Sequence, residues 1–316
     1  MNSSASAAHP AAWRGALVGV CGLVLCLATA AAAQYPAPVS PVPGVPSVPG
    51  SIPLVGIGSA APLSATSFRL TFSAPYQAGA VWLVNKPSLA GGFQTTFQFQ
   101  ISDIGGITEE SPFGLQQGAD GFAFVIQNFS IPVVGPPAGF LGYHGIPNSL
   151  AVEFDTWWNG EDGFLEPNGN YISVHSRGTA PNSVSETASL GQATNIPFMK
   201  DGAVHVARVV YAPGSLSVFL DDLTNPALTI PNVDLSRLLI LDNGSAWVGF
   251  TAGTGAAWEN HDILAWQFGP AGVPVSITGP FPVTATPSTP MPGSPTQPYT
   301  VAPSPTGPTF TLPASQ

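Results

Sequence analysis

Charge is what this sequence has least of. Of 316 residues only 7 are Lys or Arg and 17 are Asp or Glu, so 8% are charged and the formal net charge is -10 at pH 7. So few cations cannot neutralise a run of phosphates, which argues against nucleic acid as a partner. Cysteine is scarcer still. The two present, Cys21 and Cys26, both lie in an apolar leader, so a chain processed after that leader has neither a disulfide framework nor a thiolate metal site. No stretch spaces its apolar residues helically over three turns, which excludes a helix bundle. A serine-nucleophile elbow, a zinc-protease motif and a phosphate loop are absent as well.

What is present falls into four parts. Ala16 to Ala33 is an apolar run behind the single Arg14, ending in Ala31-Ala32-Ala33. This reads as a secretory signal over 1–33, giving a secreted, extracellular protein with no membrane segment once the signal is cleaved; the alternative is an uncleaved anchor. Residues 34–53 carry proline at short intervals, which removes backbone donors and favours an extended spacer. Residues 270–316 form a Pro/Thr/Ser-rich tail with almost no charge, the composition of a disordered, hydroxyl-glycosylated stalk and one compatible with cell-wall association.

Between these ends, 54–269 is rich in aromatic and β-branched residues interrupted by Gly, Pro, Asn and Asp. Strand-length segments follow one another: 95–101, 121–127, 150–156, 171–176, 204–211, 215–220, 246–251 and 263–268. The fold class predicted is all-β, an antiparallel β-sandwich of jelly-roll type. Asn128-Phe-Ser130 and Asn243-Gly-Ser245 are N-glycosylation sequons.

Chemistry concentrates in Asn148-Ser-Leu-Ala-Val-Glu-Phe-Asp-Thr-Trp-Trp-Asn159. Alternation along a strand turns Leu150, Val152 and Phe154 to one face and Glu153 and Asp155 to the other. Two carboxylates that close inside a sandwich cost several kcal/mol unless a cation or hydrogen bonds compensate them. Asp155, the amide oxygen of Asn159, and then Asp162 or Glu166 offer only oxygen, the donor set of a hard cation such as calcium. The other reading leaves both acids on a solvated sheet face.

Several separated motifs, in order, resemble the legume-type (L-type) lectins. These are Gly118-Ala-Asp-Gly-Phe-Ala-Phe-Val-Ile-Gln127, Gly139-Phe-Leu-Gly-Tyr-His-Gly-Ile-Pro-Asn-Ser-Leu-Ala-Val-Glu-Phe-Asp-Thr156, a looser Glu166-Pro-Asn-Gly-Asn-Tyr-Ile-Ser-Val-His175, and Val248-Gly-Phe-Thr-Ala-Gly-Thr-Gly255 followed by His261-Asp-Ile-Leu-Ala-Trp-Gln-Phe268. The resemblance implies a calcium-dependent carbohydrate-binding protein, not an enzyme, with glycans or glycoproteins as partners. By that resemblance Asp120 accepts hydrogen bonds from sugar hydroxyls after a cis Ala119–Asp120 bond, and Gly139 lends a backbone N–H to the sugar. Asp155 and Asn159 would bind calcium through side chains and Trp157 through its carbonyl, with the Asn159 amide also donating to the sugar. The Trp157 ring would stack on the sugar's apolar face, and of the adjacent tryptophans 157 and 158 one should be exposed. The loop containing Ala257 and Trp258 would set specificity. Pairing of the back sheets, common in the family, implies a possible homo-oligomer.

Two departures stand out. Glu166-Pro167 occupies the place of the family's Asp-Pro, after a loop about two residues longer, and Tyr171 stands where the family's transition-metal site uses His. A phenol is a poor substitute for imidazole. Calcium is therefore expected to be kept and the second site weakened or lost, making Glu153 a ligand there or a structural group, with His175 on the same strand face as the one available replacement. An enzyme alternative is a β-glucanase-like hydrolase, whose Glu-x-Asp-x-x-Glu strand supplies two catalytic carboxylates; here the third acid is Trp158. His261 and Asp262 are strand neighbours and point to opposite faces. A further alternative is a structural wall or matrix protein with a degenerate lectin domain.

Overall fold

The computed structural model describes residues 53–64 and 66–272, together with the backbone of 275–276 and 284–285. The predicted signal, and nearly all of the Pro-rich linker and tail, lie outside the described residues.

The chain forms β1 (Leu54–Gly58), β2 (Ala61–Pro62), β3 (Phe68–Thr71), β4 (Ala78–Leu83), β5 (Phe93–Gly106), β6 (Thr108–Ser111), β7 (Gly114–Gln117), β8 (Gly121–Gln127) and β9 (Ser149–Asp155). There follow β10 (Tyr171–Ser176), β11 (Ser189–Ala193), β12 (Val204–Ala212), β13 (Ser215–Leu220), β14 (Leu228–Pro231), β15 (Trp247–Gly253), β16 (Ala257–Pro270), β17 (Val275–Ser276) and β18 (Thr284–Ala285). Among the described residues the longest helix is the single turn Leu235–Leu238, capped by the Asp234 carboxylate accepting from the Ser236 N–H. The expected all-β class is what the chain adopts.

Two large sheets carry the fold. One runs β11-β10-β9-β8-β15-β4-β1-β18 and the other β14-β13-β12-β5-β16-β3-β2, with β17 on β16; β6 and β7 make a separate hairpin. Among the described strands pairing is antiparallel except between β1 and β18. Strand periodicity explains how the sheets meet. Phe122, Phe124 and Ile126 of β8, Leu150, Val152 and Phe154 of β9, and Val248 and Phe250 of β15 face Phe93, Phe97, Phe99 and Ile101 of β5 and Val209 and Tyr211 of β12 in one buried core. Phe97 sits at its centre, with ring centroids 5.6 Å from Phe154, 4.9 Å from Phe250 and 6.2 Å from Phe122. Each such ring removed from water contributes about 1.5–3 kcal/mol.

The alternate residues of the first sheet do not face water. Ala80, Trp82, Ala123, Val125 and Ala151 are covered by Val133, Leu141, Tyr143, Ile146 and Val184, which the loops 128–148 and 177–188 lay across them. This covering decides between the two readings of Glu153 and Asp155. They occupy that loop-covered face, both 1% exposed, so the solvated-face reading is excluded.

A buried acidic site under the loops

The candidate site lies where β8, β9 and the β15–β16 corner meet. Gly121 pairs with Asp155 and with Gly253, so the residues entering and leaving these strands converge. Ala119–Asp120 is a cis peptide, as the motif implied. The Asp120 N–H donates to the Gly253 carbonyl (3.2 Å), and the Asp120 carbonyl accepts from the Thr156 N–H (3.0 Å). Asp120 is buried, and its Oδ2 has no hydrogen-bond partner. Burial, and after it the nearby Glu259 carboxylate, hold the Asp120 carboxyl well above the usual range, against the lowering influence of Lys200 and the Gly255 backbone.

Gly139 belongs to the short 3-10 turn Ala138–Phe140. The turn is pinned by the Ala138 N–H donating to the Thr254 carbonyl (3.0 Å) and by Thr251 Oγ1 donating to the Leu141 carbonyl (2.8 Å). A side chain at position 139 has no room, since a Cβ there would stand 2.6 Å from Asn159 Oδ1. On its other flank the turn approaches Gly255, where a Cβ would be 3.2 Å both from the Ala138 Cβ and from Asp120 Oδ2. Asp120, Gly139, Asn159 and Gly255 are thus brought together around one spot.

The oxygen donors lie just behind. Asp155 Oδ1 accepts from the Trp157 N–H (3.0 Å), and the Glu166 carboxylate accepts from the Asn159 N–H. Asn159 Oδ1 is buried without a partner. Between the two loop acids left open by the sequence, Glu166 is buried and Asp162 is exposed. Burial, then Glu166 and Glu153, push the Asp155 carboxyl well up, and burial pushes Glu166 to about 9 despite the Asn159 N–H. A buried amide oxygen lacking a donor, flanked by two carboxylates that resist ionisation, is what a hard-cation cradle presents without its ion. Asp155, Asn159 and Glu166 therefore fit calcium.

Neither of the adjacent tryptophans is exposed, against the expectation that one would be, and the Trp157 ring expected to stack on a sugar is the more deeply buried of the two. Trp157 is 5% exposed and packs with Ala119 and Ala257, with Lys200 Nζ 5.9 Å from its ring centre. Trp158 is half-buried, donates from Nε1 to the Glu166 carbonyl (3.1 Å) and sets its ring edge-on to Phe113. Ala257 therefore joins the cluster at Trp157, whereas Trp258 lies over Gly105 and Gly106 of β5, where added Cβ atoms would meet its indole at 2.6 and 2.8 Å.

Lys200 and Glu186 were not marked by the sequence, and Glu259, a member of the loop expected to set specificity, is buried beside Lys200. Lys200 Nζ donates to the Gly118 carbonyl (2.8 Å) and the Thr156 carbonyl (2.5 Å), a buried cation among Asp120, Asp155 and Glu259. Burial lowers its pKa while those three carboxylates raise it. Glu259, fully buried, accepts from Thr156 Oγ1 (2.5 Å) and contacts His261 Nε2 (3.0 Å). Glu186 contacts Tyr171 Oη (3.0 Å); it lies 15 residues downstream of Tyr171 in a loop, so no local pattern marked it. His261 and Asp262 separate as expected, His261 to Thr71 (2.6 Å) and Asp262 to Arg69 in a bidentate pair (2.7 Å each).

Comparison with known proteins places the chain among lectins. The chain is 28% identical over 214 residues to Lectin 8 of Medicago truncatula, covering 63% of this chain and 71% of that protein. It is 30% identical over 216 residues to Truncated lectin 2 of the same plant, covering 63% and 67%. To the probable L-type lectin-domain containing receptor kinase VII.2 of Arabidopsis thaliana it is 30% identical over 193 residues, but spans only 26% of that protein. Among solved structures, the exoplasmic/lumenal domain of VIP36 in its Ca2+/Man-bound form shares the fold with a TM-score of 0.54 at 23% identity, covering 70% of this chain and 84% of that one. A family model described as the legume lectin domain matches residues 65–278, which take in the strands β3 to β17 and every residue in the cradle, and the chain accordingly belongs to the legume lectin domain family.

Proposed function

We propose that this protein is a secreted, calcium-dependent lectin that recognises glycans without chemically changing them. Carbohydrate binding is the property named in its relatives; calcium dependence and secretion are carried over here as parts of the reading. One observation carries it. Asp120 Oδ2 and Asn159 Oδ1 are buried oxygens without partners on either side of the Gly139 turn, an arrangement with capacity for ligands that the protein itself does not use.

Calcium, when bound, supplies the charge that lets Asp155 and Glu166 ionise side by side and fixes the Asn159 oxygen. The protein's own groups do the recognition. Asp120 accepts from sugar hydroxyls, the Asn159 amide nitrogen donates to one, and the Gly139 backbone approaches closely because no Cβ intervenes. Trp157 contributes through its carbonyl and through the apolar wall it forms with Ala257. The Lys200 ammonium opposes the burial and the Glu259 charge that raise the Asp120 carboxyl, and so favours its acceptor form.

A glycan array probed with and without calcium tests the reading. Binding to a defined sugar class that chelator removes supports it. A folded protein that binds no glycan in either condition would shift the assignment to a structural protein with a degenerate lectin domain.

A further inference from the structure

The β6–β7 hairpin joins neither large sheet, and a two-stranded ribbon alone is marginal in water. It is fixed from the side. The Gln116 side chain grips the Trp158 backbone twice, Nε2 donating to the carbonyl (3.3 Å) and Oε1 accepting from the N–H (3.0 Å). The Phe113 ring stands edge-on to the Trp158 indole with centroids 6.1 Å apart. Held in this way, the hairpin lines an open groove of about 480 Å³ whose other lining comes from the loops preceding β10 and β12.

The groove is apolar where a water-facing surface is expected to be polar. Phe113 is 60% exposed, Leu115 72% and Phe198 54%, with Ile104 beside them at 45%. Single exposed apolar side chains are ordinary, but four gathered on one concavity mark a binding surface. Gln117 and Asn168 add side-chain amides that can donate to a carbonyl. The one charged side chain in the lining, Lys200, is already engaged by the Gly118 and Thr156 carbonyls. These walls suit an uncharged ligand with aliphatic rings and free carbonyls; the branched Leu115 and Ile104 offer ridges rather than a flat platform for a sugar.

This chain carries such a ligand. Residues 286–316 contain nine prolines and no charged residue, with Pro-x-x-Pro spacings at 287–290, 292–295, 295–298 and 305–308. Segments of this kind favour polyproline II, leave their carbonyls free and dock on aromatic-lined grooves at small entropic cost. This one is also placed to arrive. β18 runs parallel to β1, Thr284 opposite Gly56 and Ala285 opposite Ile57, so the chain leaves it towards Gly58. That is the end of the sheet at which Gly121 begins β8 and Tyr171 begins β10. β10 is six strands from β18 in the sheet order, a span of about 29 Å. Pro295 stands ten residues beyond Ala285, about 31 Å at the polyproline II rise. We infer that the groove between the β6–β7 hairpin and the loops before β10 and β12 is the seat of this chain's own proline-rich tail, through the run 292–298.

The chain processed after Ala33 has no cysteine, so Ser294→Cys accepts a single nitroxide label. Amide NMR spectra of this isotope-labelled protein are compared with the nitroxide oxidised and reduced, in chelator and without glycan, so the outcome does not depend on sugar binding. The expected result is selective loss of the Gly114, Leu115, Gly169 and Thr194 peaks in the oxidised state, unchanged on dilution. Phe113→Ser combined with Phe198→Ser should restore them, with the β8 and β9 peaks in place as the mark of an intact sandwich. Pro292→Ala combined with Pro295→Ala and Pro298→Ala, which leaves the sandwich sequence untouched, should restore them too. Groove peaks indifferent to the label, or lost equally in the folded variants, overturn the assignment. So does a loss that dilution removes, which gives the groove to the tail of a second copy. Indifference to the label together with weakened glycan binding by the folded groove variant also overturns it, and gives the groove to an extended glycan.

Discussion

Gly139 and Asn159 are in direct apposition: a Cβ added to the glycine would come within 2.6 Å of the asparagine's Oδ1. The atom displaced by any side chain is therefore the same oxygen proposed to reach calcium, and it sits at the end of a side chain that can give way. Gly139→Ala should leave the fold intact, with a stability change of about 1 kcal/mol or less, yet reduce glycan and calcium binding at least about tenfold, or 1.4 kcal/mol. Titration calorimetry beside a thermal melt separates the two effects; equal losses in both would show that the glycine serves the fold alone.

The cradle should also respond to pH. Burial and mutual repulsion keep Asp155 protonated well above the usual carboxylate range, and Glu166 up to about 9. A cation must displace these protons, so calcium affinity should rise as pH goes from 6 towards 9. Without calcium the sign for stability is opposite. Folded-state pKa values raised above unfolded ones mean that the folded chain holds more protons, and this contribution to stability falls as pH rises from the unfolded value towards about 9. Melting temperatures across pH in chelator and in calcium would show this, the gap between them widening with pH. A gap that narrows would contradict the assignment of the two acids.

The two sequons differ in what the fold leaves free. The Asn128 amide nitrogen donates to the Ile240 carbonyl (2.8 Å), whereas Asn243 is exposed in a turn. Expressed in a host that glycosylates asparagine, the protein should lose one glycan's mass with Asn243→Gln and none with Asn128→Gln, read by mass spectrometry after glycosidase treatment.

Phe97 packs against rings from both sheets. Phe97→Ala should destabilise the sandwich by about 3–5 kcal/mol, measured by denaturant unfolding. A loss below about 1 kcal/mol would mean that the rings around it close the gap.

Much of this was legible before any coordinates. The period of two across Leu150, Val152 and Phe154 placed Glu153 and Asp155 on one face, and the segments 121–127, 171–176 and 215–220 coincide with β8, β10 and β13. Short strands such as β1, β11 and β14 were not recovered, because four or five residues give too little alternation to stand out from loops. In the site, residues close in sequence or borne on a family motif could be named, as Asp120, Gly139, Asp155 and Asn159 were. Lys200 and Glu186 could not, since each reaches the face from a distant loop. Trp258 lies over the β5 glycines Gly105 and Gly106, while its neighbour Ala257, on the opposite face of β16, packs with Trp157.

The most direct test of the central claim is the binding of Asp120→Ala and wild type to the best glycan from an array, in calcium and in chelator. The account requires wild-type binding in calcium alone, and none by the folded variant in either condition. Undiminished binding by Asp120→Ala, or wild-type binding indifferent to chelator, would contradict it.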